Sequence, residues 1–340
     1  MAGIVGFSSL RDGVLGGNFT CSYLERSPAV KRRELMKYTL AAAAPAALFG
    51  RTSGAPLPKD TGAMKDAGPV PDAHVTAALT VPASGDIRVA FLISADAELV
   101  DFVFPWGVFE YVVVGHRNPF KLNTVAASKD PAKVSGGMTI LPDYTCADAP
   151  APDVVVVPAM DIDKLAPAGL DWLRSVYKDA TLITSVCDGS FVLAAAGLLD
   201  GKRATSHHSG YGMLRAMYPK VNVIRGVRYV EDGKIATSGG LTSGMDLAMR
   251  VVERYFGRDV AKETALSLEY QSTGWMFPAS NAQFAKAPVS TAQHPVCEVC
   301  YMQVSREAAM SWQYQGKVYF FCSESHKKSF MADSQWYLHG

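Results

Sequence analysis

A cysteine lies between a predicted strand and a predicted helix in residues 181–197, TLITSVCDGSFVLAAAG. The apolar, β-branched run ends at Cys187, and Asp188, Gly189 and Ser190 begin a helix of small residues. This order predicts that the thiol lies on a sharp strand-to-helix turn, where the positive end of the helix would lower its pKa. The thiolate is the nucleophilic form of cysteine, so the pattern indicates a reactive residue. The alternative is a half-buried cysteine in a parallel-sheet core, since free cysteine is often buried.

A second group of chemically capable residues lies near the end of the sequence. Cys297 and Cys300 form a Cys-x(2)-Cys pair, and 21 residues separate it from the Cys-x(3)-His pair of Cys322 and His326. Four such ligands on either side of a Tyr- and Phe-rich hairpin suit tetrahedral Zn²⁺. A unit of about 45 residues also needs more than an apolar core to fold, which favours a bound metal. A sensor or carrier role, and a Cys297–Cys300 disulfide in an oxidising compartment, remain alternatives to a structural zinc.

The elements that must position Cys187 alternate between strand and helix patterns from Asp86 onward. The predicted strands are residues 88–93, 121–126, 153–158 and 181–186, and the predicted helices are residues 99–114 and 170–177. This alternation predicts an α/β, doubly wound, flavodoxin-like and mostly parallel sheet with helices on both faces. Sites in such sheets lie at the carboxyl ends of strands, where Cys187 falls. The chain has no Gly-x-Gly-x-x-Gly or Walker sequence, so we expect no cofactor in the α/β unit.

Length and charge restrict the classes of partner. A chain of 340 residues predicts two folded units. The 33 basic and 32 acidic side chains leave a net charge of +1, which disfavours binding to nucleic acid or an anionic membrane. No stretch reaches 18 apolar residues, so we expect no stable membrane span.

The N-terminal region has the features of an export signal. Lys31, Arg32, Arg33 and Lys37 precede a short, mildly apolar segment that resembles a twin-arginine signal. The resemblance implies a periplasmic or otherwise exported protein; the alternative is a disordered tail with a chance arginine pair. The predicted domain boundaries are a presequence (1–55), a linker (56–85), the α/β unit (86–275), a Pro-, Ala- and Ser-rich linker (276–293) and a metal-binding unit (294–340).

Several segments of the α/β unit resemble one protein family. They are VCDGSFVLAAAGLLDGKRATSHH (186–208), LVDFVFPWGVFE (99–110), IATSGGLTSGMDLAMRVVE (235–253) and SLEYQ (267–271). These segments resemble the ThiJ/PfpI superfamily of class I glutamine-amidotransferase-like proteins, in the branch of isonitrile hydratases and of the amidase-like domains of AraC-type regulators. The resemblance implies a cysteine nucleophile elbow, a small-molecule substrate or ligand, and a homodimer.

The same resemblance implies roles for three neighbours of the cysteine. Asp101 matches an acidic position of the hydratase branch and is expected to be the general acid or base, unless it only caps a helix or faces solvent. His207 matches the histidine of the family's ATTHW signature, here ATSHH, and is expected to orient or deprotonate the thiol. Asp188 replaces a threonine of the hydratases; its side chain adds a negative charge, and its backbone N–H is an oxyanion donor. Pro158-Ala159-Met160 replaces a Pro-Gly-Gly turn.

The C-terminal pairs resemble a YHS/TRASH-type metal-binding domain, with HPVCEVC in place of DPVCGM and His326 in place of the closing cysteine. That family handles heavy metals, including copper. The histidine favours zinc over copper(I), because copper(I) prefers sulfur ligands.

Together these features predict an exported cysteine-dependent hydratase or amidase-like enzyme that acts through Cys187 and Asp101. One alternative is a non-enzymatic ligand or redox sensor in which Cys187 becomes oxidised. Another is a zinc- or copper-handling protein whose α/β unit is a scaffold. A transcription regulator is the weakest alternative, because a metal unit stands where regulators carry a helix-turn-helix.

Overall fold

A computed structural model describes residues 76–339 except 84, 287, 288 and 292. The predicted presequence and most of the predicted linker 56–85 lie outside the described residues. In chain order, the strands of the α/β unit are β1 (Ile87–Leu92), β2 (Phe120–Ala126), β3 (Ala132–Lys133), β4 (Thr139–Ile140), β5 (Tyr144–Thr145), β6 (Val154–Val157), β7 (Leu182–Ser185), β8 (Arg203–Ala204), β9 (Asn222–Val223), β10 (Tyr229–Asp232) and β11 (Ile235–Ser238). Its helices are α1 (Leu99–Glu110), α2 (Pro167–Val176), α3 (Gly189–Ala195), α4 (Tyr211–Met217), α5 (Ser243–Phe256) and α6 (Arg258–Ser267).

Seven of these strands form the central sheet, in the order β10-β11-β7-β6-β1-β2-β5. All neighbouring pairs are parallel except β10 with β11, which is antiparallel. The middle strands are apolar and fully buried, as the four valines of β6 show, which is typical of a parallel sheet covered on both faces. Helix α1 packs with α5, and α2 packs with α3. The predicted α/β, flavodoxin-like fold is therefore confirmed.

The predicted helix 99–114 is shorter than expected. It ends at Glu110, and a turn closed by Val114 and Arg117 follows. Gly115 and His116 in this turn both have positive φ, which a helix cannot continue through.

The segment predicted as a linker lies on the α/β unit. Residues Pro278–Phe284 form a 3₁₀ helix, whose Pro278 carbonyl accepts a hydrogen bond from the Arg228 N–H at 2.6 Å. The Arg225 side chain donates to the Ala285 carbonyl at 2.8 Å, and Asn281 is buried. Part of the predicted linker (276–293), residues 278–285, therefore lies against the α/β unit, a contact with distant parts of the chain that composition does not reveal.

The C-terminal unit consists of a hairpin and two short helices: β12 (Met310–Tyr314), β13 (Lys317–Phe321), α7 (Glu324–Ala332) and α8 (Ser334–His339). Phe330 is its central side chain and contacts the rings of Trp312, Tyr314, Tyr319, Phe321 and Tyr337. Within the described part of the chain, no helix combines the length and hydropathy that a bilayer crossing needs.

Candidate functional site

Cys187 lies on a sharp turn between β7 and α3, as predicted. Its φ is +57°, an uncommon conformation for a residue with a side chain. Gly189 makes the turn possible: a Cβ at this position would lie 2.2 Å from the Val157 carbonyl oxygen and 2.9 Å from the Pro158 carbonyl. The strand-to-helix turn therefore depends on a glycine two residues after the cysteine, as in nucleophile elbows.

Hydrogen bonds hold the backbone of this turn. The Cys187 N–H donates to the Gly239 carbonyl at 3.0 Å. The hydroxyls of Ser206 and Ser190 lie 3.2 and 3.4 Å from the Cys187 carbonyl, and the two serines are hydrogen-bonded to each other at 2.8 Å. Both serines are fully buried. The strained backbone is thus fixed by partners from three parts of the chain.

The thiol of Cys187 is largely enclosed, with the residue 9% exposed. Burial raises its pKa well above the ordinary value, and the carboxylates of Asp101 and Asp188 raise it further. The backbone N–H groups of Asp188 and Leu241 act in the opposite direction but are weaker. The predicted lowering of the pKa is therefore wrong in direction, because desolvation and like charge outweigh the seven-residue helix α3.

Asp101 is the second functional group at this site. It lies in the first turn of α1 with no exposed surface, which rules out the alternative of a solvent-facing carboxyl. Its Oδ2 accepts a hydrogen bond from the Ala159 N–H at 3.0 Å, whereas Oδ1 has no hydrogen-bond partner among the described residues. Burial raises the pKa of Asp101 to about 8, so the carboxyl is mainly protonated at neutral pH. The turn that replaces Pro-Gly-Gly thus holds the acid.

Asp188 carries a second carboxyl group beside the thiol. Its Oδ1 accepts a hydrogen bond from the Ser206 hydroxyl at 2.8 Å. Burial raises the pKa of Asp188 to about 6, while the bond from Ser206 and the backbone N–H of His207 favour the ionised form. Two carboxyl groups with different proton affinities therefore lie next to Cys187.

His207 lies at the edge of the site. Its Nδ1 is 2.7 Å from the Ser209 hydroxyl, and its ring is 4.2 Å from that of His208, which stacks on Phe284 at 4.3 Å. Burial lowers the pKa of His207. No hydrogen bond joins His207 to the Cys187 thiol in the described region, so its predicted role in deprotonation has no support from these contacts.

The structure brings together the four predicted metal ligands. The Sγ atoms of Cys297, Cys300 and Cys322 and a ring nitrogen of His326 all lie within 4.8 Å of one another. The turn after Val296 holds the first pair, where the Cys297 N–H donates to the Met302 carbonyl at 2.8 Å. Cys322 follows β13 directly, and the Ser323 hydroxyl caps α7 by accepting from the His326 N–H. These cysteines are free thiols, so the Cys297–Cys300 disulfide is not formed here.

Distances within this cluster fit a tetrahedral ion. Zinc–sulfur bonds of about 2.3 Å require sulfur atoms about 3.8 Å apart and sulfur–nitrogen separations of about 3.5 Å. The Cys300 and Cys322 sulfurs are 3.7 Å apart, and His326 Nδ1 is 3.5 Å from Cys297 Sγ and 3.2 Å from Cys322 Sγ. The residues present can therefore hold one metal ion without rearrangement of the backbone.

Comparison with known proteins identifies the α/β unit. A model of the DJ-1/PfpI family matches residues 87–254. Isonitrile hydratase of Pseudomonas putida is 33% identical over 192 residues, which cover 54% of this chain and 78% of the hydratase. The chain belongs to the DJ-1/PfpI family.

The HTH-type transcriptional regulator CdhR of Pseudomonas aeruginosa is 27% identical over 152 residues, which cover 44% of this chain and 45% of the regulator. A crystal structure of a ThiJ/PfpI family protein from Pseudomonas syringae is 29% identical, covers 63% of this chain and 84% of its own, and has a TM-score of 0.49.

The DJ-1/PfpI match ends before the Cys/His cluster. Within the DJ-1/PfpI unit, the sequence predicted the positions of Cys187, Asp101 and Asp188 but missed Ser190, Ser206 and Leu241. A signal for Leu241 is the Gly239-Gly240 pair before it, because paired glycines indicate that the backbone lies close to another part of the protein. Gly240 indeed leaves no room for a Cβ beside the His207 ring. The two serines give no such local signal, because only the fold brings them together.

Proposed function

We propose that this protein is an exported, cysteine-dependent enzyme that hydrates a small molecule in the manner of an isonitrile hydratase, with Cys187 as nucleophile and Asp101 as the acid. One observation carries the proposal. A fully buried carboxyl group, protonated at neutral pH and with one oxygen unpartnered, lies beside a cysteine on a strained strand-to-helix turn. The resemblance to isonitrile hydratase over most of that enzyme's length supports an isocyanide as the substrate class.

The raised pKa values of both groups fit a proton-coupled attack. Cys187 enters the reaction as a thiol, so its proton must leave as the sulfur–carbon bond forms. Asp101 gives its proton to the terminal carbon of the isocyanide and takes the thiol proton, which leaves a thioimidate on sulfur and a neutral Asp101. Water then adds to the same carbon, the carbon–sulfur bond breaks, and the thiol and an N-substituted formamide are released. The sum is one isocyanide and one water in, and one formamide out.

Turnover of cyclohexyl isocyanide and smaller alkyl isocyanides, measured as formamide by mass spectrometry, tests this proposal. Cys187→Ala should abolish turnover, and Asp101→Asn should lower kcat by about 10²–10⁴-fold, because a proton transfer is lost while the Ala159 hydrogen bond is kept. Asp171→Asn, at an exposed aspartate of α2, is the matched control and should leave kcat unchanged. Full activity of Asp101→Asn would reject the role of the acid. Absence of formamide with every isocyanide would favour a ligand or redox sensor.

For the C-terminal unit we propose a structural Zn²⁺ held by Cys297, Cys300, Cys322 and His326. The sulfur and nitrogen separations, and the histidine as fourth ligand, support zinc over copper(I). Metal analysis should find about one zinc per chain, and Cys322→Ser should lose it, whereas Ser311→Ala, at an exposed serine of β12, should keep it. Copper in place of zinc after expression in medium that contains both metals would favour the heavy-metal-handling alternative.

We also propose export by the twin-arginine route, which rests on the sequence around Arg32 and Arg33 alone. Replacement of both arginines by lysine keeps the charge but should retain the protein in the cytoplasm. Cell fractionation of the native and Arg32→Lys/Arg33→Lys proteins measures this. Equal distribution of the two proteins would reject the proposal.

A further inference from the structure

The first turn of α4 lies between the cysteine turn and the metal-binding unit. On one side, a Cβ at Gly210 would lie only 2.5 Å from Asp188 Oδ1 and 3.2 Å from the Phe191 ring. On the other, a Cβ at Gly212 would lie 2.5 Å from the Tyr301 ring and 2.8 Å from the Cys300 carbonyl oxygen. The absence of side chains at Gly210 and Gly212 thus lets one turn of backbone contact both Asp188, which follows Cys187, and Cys300, a proposed metal ligand.

Charged and aromatic side chains hold α4 against the metal-binding unit. Arg215 of α4 donates to the Tyr301 hydroxyl and to the Tyr337 carbonyl, both at 3.2 Å. Arg225 lies over the rings of Tyr211 and Tyr301, at 5.2 and 4.8 Å. A buried arginine that contacts both units fixes their relative position more firmly than apolar contact alone.

From this geometry we propose that Gly210 and Gly212 are positioning residues, through which the folded metal-binding unit holds the Asp188 carboxylate beside Cys187. Asp188 itself is held between the Ser206 hydroxyl and the Gly210 backbone. Displacement of α4 would remove the Gly210 contact and leave Asp188 with the hydrogen bonds from Ser206 and the His207 backbone. The inference rests on the proposed metal site but not on the proposed reaction.

The charges around the thiol set the direction of the effect. Cys187 faces Asp101 from α1 and its own neighbour Asp188, while Glu98 acts on Asp101. Asp188 in turn is near His208 and the His207 backbone. If Asp188 moves away from Cys187, the repulsion of the thiolate falls and the thiol ionises at lower pH. Loss of the metal should therefore make Cys187 more reactive, not less.

The test compares Cys187 alkylation in zinc-loaded and chelator-treated full-length protein as a function of pH. Iodoacetamide labelling is quantified on the tryptic peptide 179–202, which contains Cys187 as its only cysteine, so labelling of the metal ligands does not interfere. Zinc removal should raise the labelling rate near pH 7.5 by about threefold or more and lower the apparent pKa by about half a unit or more. Identical pH profiles with and without zinc, or no zinc uptake at all, would overturn the proposal.

Three variants separate positioning from general loosening. Gly212→Ala should show the pH profile of Cys187 labelling of the zinc-free protein and still hold zinc by metal analysis. Gly107→Ala, at a helical glycine with open space around its Cβ position, should behave as wild type.

In Asp188→Asn the carboxylate charge is absent, so zinc removal should no longer shift the apparent pKa of Cys187. A zinc-dependent shift of the same size in Asp188→Asn would show that the metal acts by another route. If Gly212→Ala takes up no zinc, the Asp188→Asn comparison alone decides. Because no isocyanide is used, failure here is distinct from failure of the proposed reaction.

Discussion

At the residue scale, two carboxyl groups act on the Cys187 thiol. The pKa of Asp101 is raised to about 8 and that of Asp188 to about 6, so at pH 7 the first is mainly protonated and the second mainly ionised. Environments that separate the proton affinities of neighbouring acids are how enzymes assign acid and base roles. Burial raises the pKa of both carboxyl groups, and at Asp188 the hydrogen bond from the Ser206 hydroxyl offsets part of this rise.

The raised pKa of Asp101 makes stability depend on pH. The native chain keeps a proton that the unfolded chain releases above about pH 4, so the free energy of unfolding falls as pH rises from about 4 to 8. Asp101→Asn has no such proton and should become more stable than wild type at pH 8 by a few kcal/mol, with little difference at pH 4. Urea unfolding of both proteins at several pH values measures this. Asp188 contributes the same pH dependence to both proteins. If the free energy of unfolding changed with pH at the same slope in wild type and Asp101→Asn, that result would contradict a buried, protonated Asp101.

The position of Cys187 in the fold was easier to predict from the sequence than the direction of its pKa shift. Cys187 could be placed on its turn because the strand and helix patterns meet there. The direction of its pKa shift could not be predicted, because Asp101 approaches the thiol from another helix and the fold excludes water from both groups. His207 carries the family's histidine, yet its ring contacts Ser209 and His208. Local sequence reveals a residue's position along the chain but not the charges that the fold brings to it.

At the scale of elements, the β7–α3 turn depends on the missing side chain of Gly189. Its α-carbon lies so close to the end of β6 that a methyl group would contact the Val157 carbonyl. In a typical helix, alanine in place of glycine is favourable by about 0.5–1 kcal/mol. Because α3 lies so close to the sheet at Gly189, we expect alanine to be less favourable than glycine at this position.

Gly189→Ala should therefore lower the free energy of unfolding by about 2–4 kcal/mol, because the turn must move away from β6. Gly107→Ala, in α1 with no atom within 4 Å of its Cβ position, should leave stability unchanged or raise it slightly. Thermal and urea unfolding of the two variants provide the comparison. A Gly189→Ala protein as stable as wild type, with unchanged Cys187 labelling, would show that the turn does not need glycine.

The longer strands and helices of residues 87–186 could be predicted to within a few residues, whereas the two-residue strands β3, β4 and β5 were not predicted. The buried valines before Pro158, and the apolar run before Cys187, are long enough to show their period. The docking of residues 278–285 was not predictable, because a Pro-, Ala- and Ser-rich composition describes linkers and docked 3₁₀ segments alike. The position of α4 also depends on contacts with Tyr301 and Tyr337, which lie far away in the sequence.

At the scale of the whole molecule, the DJ-1/PfpI unit and the C-terminal unit (294–340), for which we propose a metal site, share an interface around Arg215. Metal affinity in small units is coupled to their folding, so contacts that stabilise the fold also retain the ion. Arg215→Met should weaken these contacts by about 1–3 kcal/mol and lower zinc retention about tenfold. Competition with a chromogenic zinc chelator measures retention. Arg306→Met, at an exposed arginine of the metal-binding unit, is the control, and equal retention by the two variants would contradict the interface.

The place of α4 between the two units also sets an order of events during synthesis. Its last residue, Met217, precedes the proposed ligands Cys322 and His326 by more than a hundred positions, and ribosomes add roughly 5–20 residues per second. For several seconds after Gly239 has completed the hydrogen bonds of the cysteine turn, the nascent chain does not yet contain Tyr301 and Tyr337, the residues that Arg215 contacts in the folded protein. Chaperones would meet this uncovered surface first, and binding of the proposed zinc ion would then determine how soon the C-terminal unit covers it.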